Sequence, residues 1–326
     1  MSTHNCPVVR VKFNDHPNAD SLSIMEIDGY EVAMRTADWE EGQLAVYIPP
    51  DYWVPDTEVF AWLRGTSQSS TSWQRTRTKK FRGRYSYGFL IPLPDAISHL
   101  NPGDNAMESL GIIRYEPPEN TLSGDNEAPP EGFYPKYDVE NYQSFRKLFI
   151  PGEEIIATEK IHGCNARFCF VDGRMRAGAR DNWKKQDSTC LWWKGITQNP
   201  WIEQWCRQNE GLVVYGELFG NVQNLRYGAI GGQLFFKAFD ILHGTKWLAY
   251  DHARGVAGAL LQWVPEVYRG PLDFDAMMKL ATGDSKIGGV NHMMEGVVIR
   301  PVIERYESGF GRVFCKVVSP RYLEKN

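Results

Sequence analysis

Lys160, in the stretch ATEKIHGCNAR that begins at Ala157, closes an apolar run and is followed at once by a histidine, a glycine and an asparagine. A buried strand needs none of these polar groups, and a surface loop needs no apolar approach. The stretch therefore reads as one that carries chemistry. A free lysine titrates near ~10.4 and is a poor nucleophile at neutral pH. Burial or a neighbouring cation lowers that value and makes the amine reactive. As isolated residues the two polar anchors have plainer readings: Lys160 as a strand-end side chain reaching for solvent, Asn165 as a turn former.

The set is more informative than its members. Arg180 lies in AGARDNW, Glu217 in VVYGELFG, Phe239 and Asp240 in FFKAFDIL, Glu295 in MEGVVIRP and Lys316 in RVFCKVVSPRYLE. Each polar residue ends or interrupts an apolar run, where a charge is expensive unless it is paired or binds something. Singly, Glu217 or Glu295 could be no more than the salt-bridge partner of Arg180. Together they suit a nucleotide. Two carboxylates can hold a hydrated Mg²⁺, arginine and lysine can neutralise phosphates, and an aromatic ring can stack on a base.

The elements that position these residues follow from periodicity. Strands are expected in EEIIATEKI, ARFCFV, GLVVYGELF, QLFFKAFDIL, EGVVIRPV and RVFCKVV, and helices in NPWIEQWCRQN, YDHARGVAGALLQWV and DFDAMMKLATG. Strands and helices do not alternate strictly, which predicts an α+β domain rather than a doubly wound sheet. The DG pair of FVDGRM marks a tight turn soon after Lys160 and places the lysine at the mouth of a β-hairpin. Upstream, VVRVKF, LSIMEI, YEVAMRT, QLAVYIP and YGFLIPL are short alternating runs between turn residues, the pattern of a small antiparallel barrel or sandwich. PPENTLSGDNEAPPEGFYP, from Pro117 to Pro135, has almost no apolar period and reads as a linker. The expected organisation is a first domain over 1–116, a linker over 117–136 and a second domain over 137–326.

At 326 residues, about two domains is the natural expectation. The net charge of −4 gives no global signal for nucleic acid, so such a partner must be held by a local patch. SWQRTRTKKFRGRYSYGFLIP supplies one: Arg75, Arg77, Lys79, Lys80, Arg82 and Arg84 interleave with Trp73, Phe81 and Tyr85. Basic side chains can track phosphates while rings stack on bases; the plainer reading is a solvated basic loop. The six cysteines form no C-x-x-C pair, which favours reduced thiols in a cytosol over disulfides or a zinc site. There is neither a signal-peptide pattern at the start nor an apolar run near the ~20 residues of a membrane span. A cytoplasmic protein with no membrane partner is expected.

EKIHGCN closely resembles the nucleotidyltransferase signature Lys-x-(Asp/His)-Gly of DNA ligases, RNA ligases and mRNA-capping enzymes. Histidine in the third place, with asparagine five after the lysine, looks like the nick-sealing RNA ligases related to the phage and kinetoplastid editing enzymes. Arg180, YGELFG, FDI, EGVVIRP and Lys316 match the remaining family motifs in order, from roughly Tyr137 to the C-terminus. DHPNADSLSIMEIDG looks like the OB-type module of tRNA-binding domains and of one small RNA-ligase group. That group has no long C-terminal domain, in keeping with a chain that ends ten residues after Lys316.

The resemblance implies an OB-like barrel followed by an adenylyltransferase domain, and an ATP-dependent RNA ligase that works as a monomer on RNA ends at nicks in duplexes. It implies that Lys160 attacks the α-phosphate of ATP, that AMP passes to a 5′-phosphate, and that a 3′-hydroxyl displaces AMP. It further implies that Glu159 and Phe239 contact adenine, and that Asn165, Arg180 and Lys316 contact ribose and phosphates. Glu217, Glu295 and Asp240 would serve Mg²⁺ or Mn²⁺, Glu217 also the ribose, and His162 phosphate transfer. One departure stands out. The family's last motif holds Lys-x-Lys, whereas here Lys316 is followed by Val318, with Arg321 and Lys325 the nearest later cations. Within the same chemistry a DNA ligase or a capping guanylyltransferase are the alternatives, and outside it an RNA-binding protein with a relict nucleotide site.

Overall fold

Alternating apolar residues pair as antiparallel strands wherever a tight turn lets them fold back. In the N-terminal part, Asp28 and Gly29 both take positive φ, 52° and 82°, and join Ala19–Ile27 to Tyr30–Arg35 with Ile27 opposite Tyr30. Strand Leu44–Ile48 pairs with Val8–Arg10 on one edge and Phe89–Pro92 on the other. Its alternation divides the core in two. Val46 and Ile48 join Val8, Val54 and Phe60, whereas Ala45 and Tyr47 join Met25, Val32 and Met34. All five strands expected upstream of Pro94 are present.

The computed structural model describes residues 5–63, 73–115, 125–288, 291–308 and 310–325. It divides into one unit of 1–119, 143–146 and 320–326 and another of 120–142 and 147–319. The terminal helix Pro320–Lys325, expected with the second domain, groups with the first, where the Tyr85 hydroxyl donates to Glu324 Oε2 at 3.4 Å. Residues 117–124 of the expected linker lie outside the described residues. Its later part is not simply connecting chain, because Asn126–Glu127 pairs with Trp183–Lys184 as a sheet edge.

The second unit holds two sheets. The larger has seven strands, in the order Asn126–Glu127, Trp183–Lys184, Arg174–Gly178, Cys164–Val171, Leu212–Gly220, Leu234–His243, Lys246–Trp247. The smaller has five: Glu140–Asn141, Cys315–Val318, Gly296–Pro301, Glu154–Lys160, Glu266–Pro271. One face of the larger sheet is sealed by helices. Phe168, Val214, Leu218, Phe236 and Ala238 pack on Trp193 and Ile196 of Leu191–Gln198, Ile202 and Trp205 of Trp201–Gln208, and Ala253 of Tyr250–Ala257. Apart from the parallel edge pair of Glu140–Asn141 with Cys315–Val318, these are antiparallel sheets flanked by helices, the α+β architecture expected.

Three local expectations need correction. The hairpin closed by Asp172 and Gly173 joins Cys164–Val171 to Arg174–Gly178 in the larger sheet. Lys160 ends a strand of the smaller sheet instead, so it sits at a crossover between sheets rather than at a hairpin mouth. The helix expected through Val264 stops at Ala257, because Gly258 turns to φ 60°. Helix Leu191–Gln198 and strand Glu266–Pro271 were not expected; both are too short for a clear period.

Asp240, expected beside a metal, is fully buried and saturated by other partners. It accepts hydrogen bonds from the Tyr137 hydroxyl at 2.7 Å, Arg300 Nη1 at 3.1 Å and Arg312 Nη1 at 2.6 Å. Asp240 belongs to the larger sheet and Arg300 to the smaller, so the cluster clasps the two. Its charge is answered within the fold.

Candidate active site

Two buried or half-buried carboxylates converge on the end of the Lys160 strand. Glu154–Lys160 pairs with Gly296–Pro301 so that Lys160 opposes Gly296, which brings Glu295 beside the amine. Lys160 Nζ donates to Glu295 Oε1 at 2.6 Å. The chain then crosses through Ile161–Gly163 into Cys164–Val171, where Asn165 opposes Glu217 of the neighbouring strand. That crossing runs so close to the Glu217 strand that a Cβ on Gly163 would lie 2.3 Å from the Leu218 carbonyl oxygen. A Cβ on Gly296 would lie 2.2 Å from the Val317 carbonyl oxygen. The glycines of KIHG and EGVV are thus required by close packing beside the site.

His162 is held at both ends of the residue. Its backbone N–H donates to the Tyr227 hydroxyl at 2.8 Å, and its Nδ1 lies 3.5 Å from Glu295 Oε2. Asn165 Oδ1 is buried and makes no hydrogen bond. An acceptor buried in that condition is costly unless something donates to it. A ribose hydroxyl is a donor of the right kind.

The charges set one another. Burial pushes the Lys160 amine down, yet Glu295 and Glu217 outweigh it and hold the group above the usual lysine range. The lowering that burial alone would bring is thus overridden, and Lys160 rests as an ammonium in an ion pair with Glu295. Burial raises the Glu295 carboxyl, but Lys160 and His162 prevail and keep it below the ordinary carboxylate range. Glu217 goes the other way, raised to about 8 by burial, with repulsion from Glu295 adding to the effect.

A stability prediction follows from Glu217. Its folded value lies above the ordinary carboxylate value of ~4.3, so the folded protein binds this proton more tightly than the unfolded chain does between those limits. The carboxyl then withdraws stability as pH rises through that window. Glu217→Gln, which removes the charge and keeps the shape, is expected to melt with the wild type at about pH 4, below that window. At pH 9, in EDTA, it should melt at least about 2 °C higher. A difference that does not vary with pH would show that the carboxyl is not the cause.

Glu159 faces a different set of partners. It is buried and accepts from Ser285 Oγ at 2.6 Å and from the Lys286 N–H at 2.7 Å, so the contacts it makes are with that loop. Phe239 is half-buried, its ring 4.5 Å from that of Tyr137 at 40°. Arg180 pairs with Asp181 at 3.1 Å and Asp138 at 3.3 Å. Lys316 opposes Val298, and Val318 opposes Gly296. Directly opposed residues share a face, so Val318 stands in the same cross-strand row as Lys160 and Lys316 on the same face one row along. The position of the missing lysine is thus apolar and next to the site. Arg321 groups with the N-terminal unit, and the side chain of Lys325 lies outside the described residues.

Two residues were missed. Lys237 opposes Glu217 across the strand pair, and burial lowers its amine. It interrupts the apolar run FFKAFD, so the criterion that selected Asp240 would have selected it too. Tyr227, at φ 50°, lies in a polar loop with no periodicity and gave no signal. Among the described residues no group of three or more His, Cys, Asp or Glu side chains could hold a metal alone. Glu217 and Glu295 still fit Mg²⁺, which needs only one or two carboxylates beside water and substrate phosphates.

In the N-terminal unit the basic patch is partly self-paired. Arg75 Nη2 lies 2.7 Å from Asp51, and Arg84 is bonded to Glu31. Lys80 stands 4.9 Å over the Tyr85 ring, and Arg77, Lys79 and Arg82 are exposed. The six cysteines are all reduced, and among the described residues no helix is long and apolar enough to cross a membrane.

Comparison with known proteins agrees with this architecture. The family model described as RNA ligase matches residues 153–318, just over half of the chain, and one described as an OB-fold domain matches 7–93. Among solved structures, a ligand-free mutant of the Naegleria gruberi RNA ligase is similar at 23% identity, covering 100% of this chain and 99% of that one, with a TM-score of 0.78. A mutant of that ligase with ATP and Mn is similar at 22% identity, with 99% of both chains covered and a TM-score of 0.77. The form with pyrophosphate is similar at 22% identity, with 99% of both covered and a TM-score of 0.76. No curated protein matches. At these identities the solved structures show a shared fold, and the match of the family model over 153–318 places the chain in the RNA ligase family.

Proposed function

We propose that the chain is an ATP-dependent RNA ligase that joins 3′-hydroxyl and 5′-phosphate ends at nicks in duplexes, acting as a monomer. The observation that carries this reading is Lys160, 2.6 Å from Glu295 and under the field of Glu217, beside the orphaned acceptor of Asn165. ATP enters as a substrate. The neutral Lys160 amine attacks its α-phosphorus; a P–N bond forms, the bond to the bridging oxygen breaks, and pyrophosphate leaves. A 5′-phosphate oxygen then attacks the same phosphorus, and the lysine departs once reprotonated. Last, the 3′-hydroxyl attacks the activated 5′-phosphorus and AMP leaves.

Each step needs positioning and charge neutralisation more than covalent help. Lys160 must lose its proton before the first step, which dissolves its ion pair with Glu295. Glu217 and Glu295 would hold a divalent ion, Mg²⁺ or Mn²⁺, which supplies charge neutralisation at phosphorus when bound. The pairing of Asp138 and Asp181 with Arg180 leaves that guanidinium at the surface, exchangeable for a phosphate. Lys316 and Lys237 add positive charge on the strands around Lys160 and Glu217. Residues up to about 116 would grip nucleic acid and 137–326 would do the chemistry.

The test is sealing of nicked duplexes with RNA or DNA placed separately on each side of the break. Sealing with ATP of nicks that carry RNA, in preference to all-DNA nicks, is the expected outcome. Equal sealing of all-DNA nicks would favour a DNA ligase. Labelling of the protein by GTP in preference to ATP would favour a capping enzyme.

A further inference from the structure

The N-terminal unit contains a cavity of about 1280 Å³ that the ligase chemistry does not use. Trp39, Trp53, Trp62 and Phe81 line it, Arg35, Arg77 and Lys79 stand at it as cations, and Asp38 is the one acid among the described lining residues. The volume exceeds the roughly 300–1000 Å³ of an ordinary small-molecule pocket. The rings are supported rather than loose: Trp62 meets Phe89 edge-on at 5.0 Å, and Trp53 meets Tyr115 edge-on at 5.3 Å. Arg75 lies 3.8 Å over the same Tyr115 ring. Trp62 nevertheless keeps 54% of its surface exposed and Phe81 39%, an unusual amount of aromatic area to leave in water.

The hairpin that brings Phe81 and Lys79 to the cavity is also fixed. Lys79–Phe81 pairs with Arg84–Ser86 around a turn in which Arg82 and Gly83 take φ 44° and 92°. The HPNAD segment fastens that turn. His16 Nδ1 accepts from the Asn18 N–H at 3.1 Å, so His16 Nε2 carries the proton and donates to the Phe81 carbonyl at 3.2 Å. Asn18 Nδ2 donates to the Arg82 carbonyl at 3.0 Å. A motif with no role in the catalytic reading thereby holds one wall of the cavity.

We propose that this cavity captures an unpaired stretch of the RNA substrate, its bases between the tryptophan and phenylalanine rings and its phosphates at Arg35, Arg77 and Lys79. A duplex keeps its bases stacked inside and offers only edges and phosphates, which cannot enter a ring-lined cavity. Unpaired bases present faces that any ring can stack on. The inference rests on the ligase reading for its substrate and adds that the protein also holds unpaired RNA lying beyond the paired region that carries the nick.

The test is fluorescence anisotropy with the full chain, using a labelled single-stranded RNA of about 12 nucleotides and a blunt RNA duplex of the same length. Trp62→Ala and, separately, Arg35→Ala are expected to weaken the single strand about tenfold and the duplex less than twofold. Trp62→Phe should restore most of the loss, since a ring of similar face returns. Formation of the AMP adduct should be unchanged in all three. Equal weakening of single strand and duplex would make the surface a general phosphate grip and overturn the proposal, as would no weakening of either. Failure of the wild type to form an adduct would instead count against the ligase reading, leaving the comparison of single strand with duplex intact.

Discussion

Lys160→Ala is expected to abolish covalent labelling of the protein by radiolabelled ATP in the absence of RNA, and Lys160→Arg is expected to do the same. Alanine removes the proposed nucleophile; arginine keeps the positive charge against Glu295 and Glu217 but does not deprotonate in proteins. The pair of variants therefore separates chemistry from charge. If the amine served only as the salt-bridge partner of Glu295 at 2.6 Å, arginine would preserve function. Loss in both variants, with folded protein by circular dichroism, assigns the bond-forming role to the lysine. A labelled adduct that persists in either would remove the mechanism.

The ammonium state of Lys160 shapes the pH dependence of that labelling. The amine must shed its proton, and Glu217, raised to about 8, must shed its own before it can hold a cation. Both requirements ease as pH rises, so the rate of adduct formation should climb through neutrality rather than fall. Without substrate the ammonium is paired with Glu295 at 2.6 Å. An ion pair of this kind keeps the buried carboxylates answered until substrate arrives.

Asp240→Ala is expected to destabilise the protein by about 3–5 kcal/mol, the usual penalty for leaving buried charges without their partner. Arg300 and Arg312 are both buried and both donate to that carboxylate, and the Tyr137 hydroxyl donates to it as well. Glu304, at 2.8 Å from Arg312 Nε, can answer only one of the two guanidinium groups at that range. The melting temperature should fall by roughly 10 °C. Asp240→Asn, which keeps the volume and one carbonyl acceptor, should fall by less. An unchanged melting temperature combined with an altered Mn²⁺ dependence would return Asp240 to the metal.

Much of the candidate site was legible because it is written locally. A charge that ends or breaks an apolar run is visible in one window of sequence, and Lys160, Glu217 and Glu295 were found in that way. The structure brings those three together. The same criterion selected Asp240, which shares its strand with Phe239, but no window shows that Arg300 and Arg312 come from 60 and 72 residues away to neutralise it. Glu159 adjoins the lysine in sequence, and only the loop at Ser285 and Lys286, more than a hundred residues on, decides what its carboxylate touches.

By itself the sequence determined most of the longer strands of both units, the order of the motifs, the glycines that let strands approach, and the aromatic and basic content of the N-terminal patch. Those depend on periodicity and residue type, which are properties of neighbours along the chain. Only the tertiary structure decided that Lys160 rests protonated, that Asp240 is a clasp between sheets, and that tryptophans from three separate segments line one cavity. Charge interacts through space, falling with distance and strengthening with burial. Neither distance nor burial exists until strands far apart in sequence have been paired.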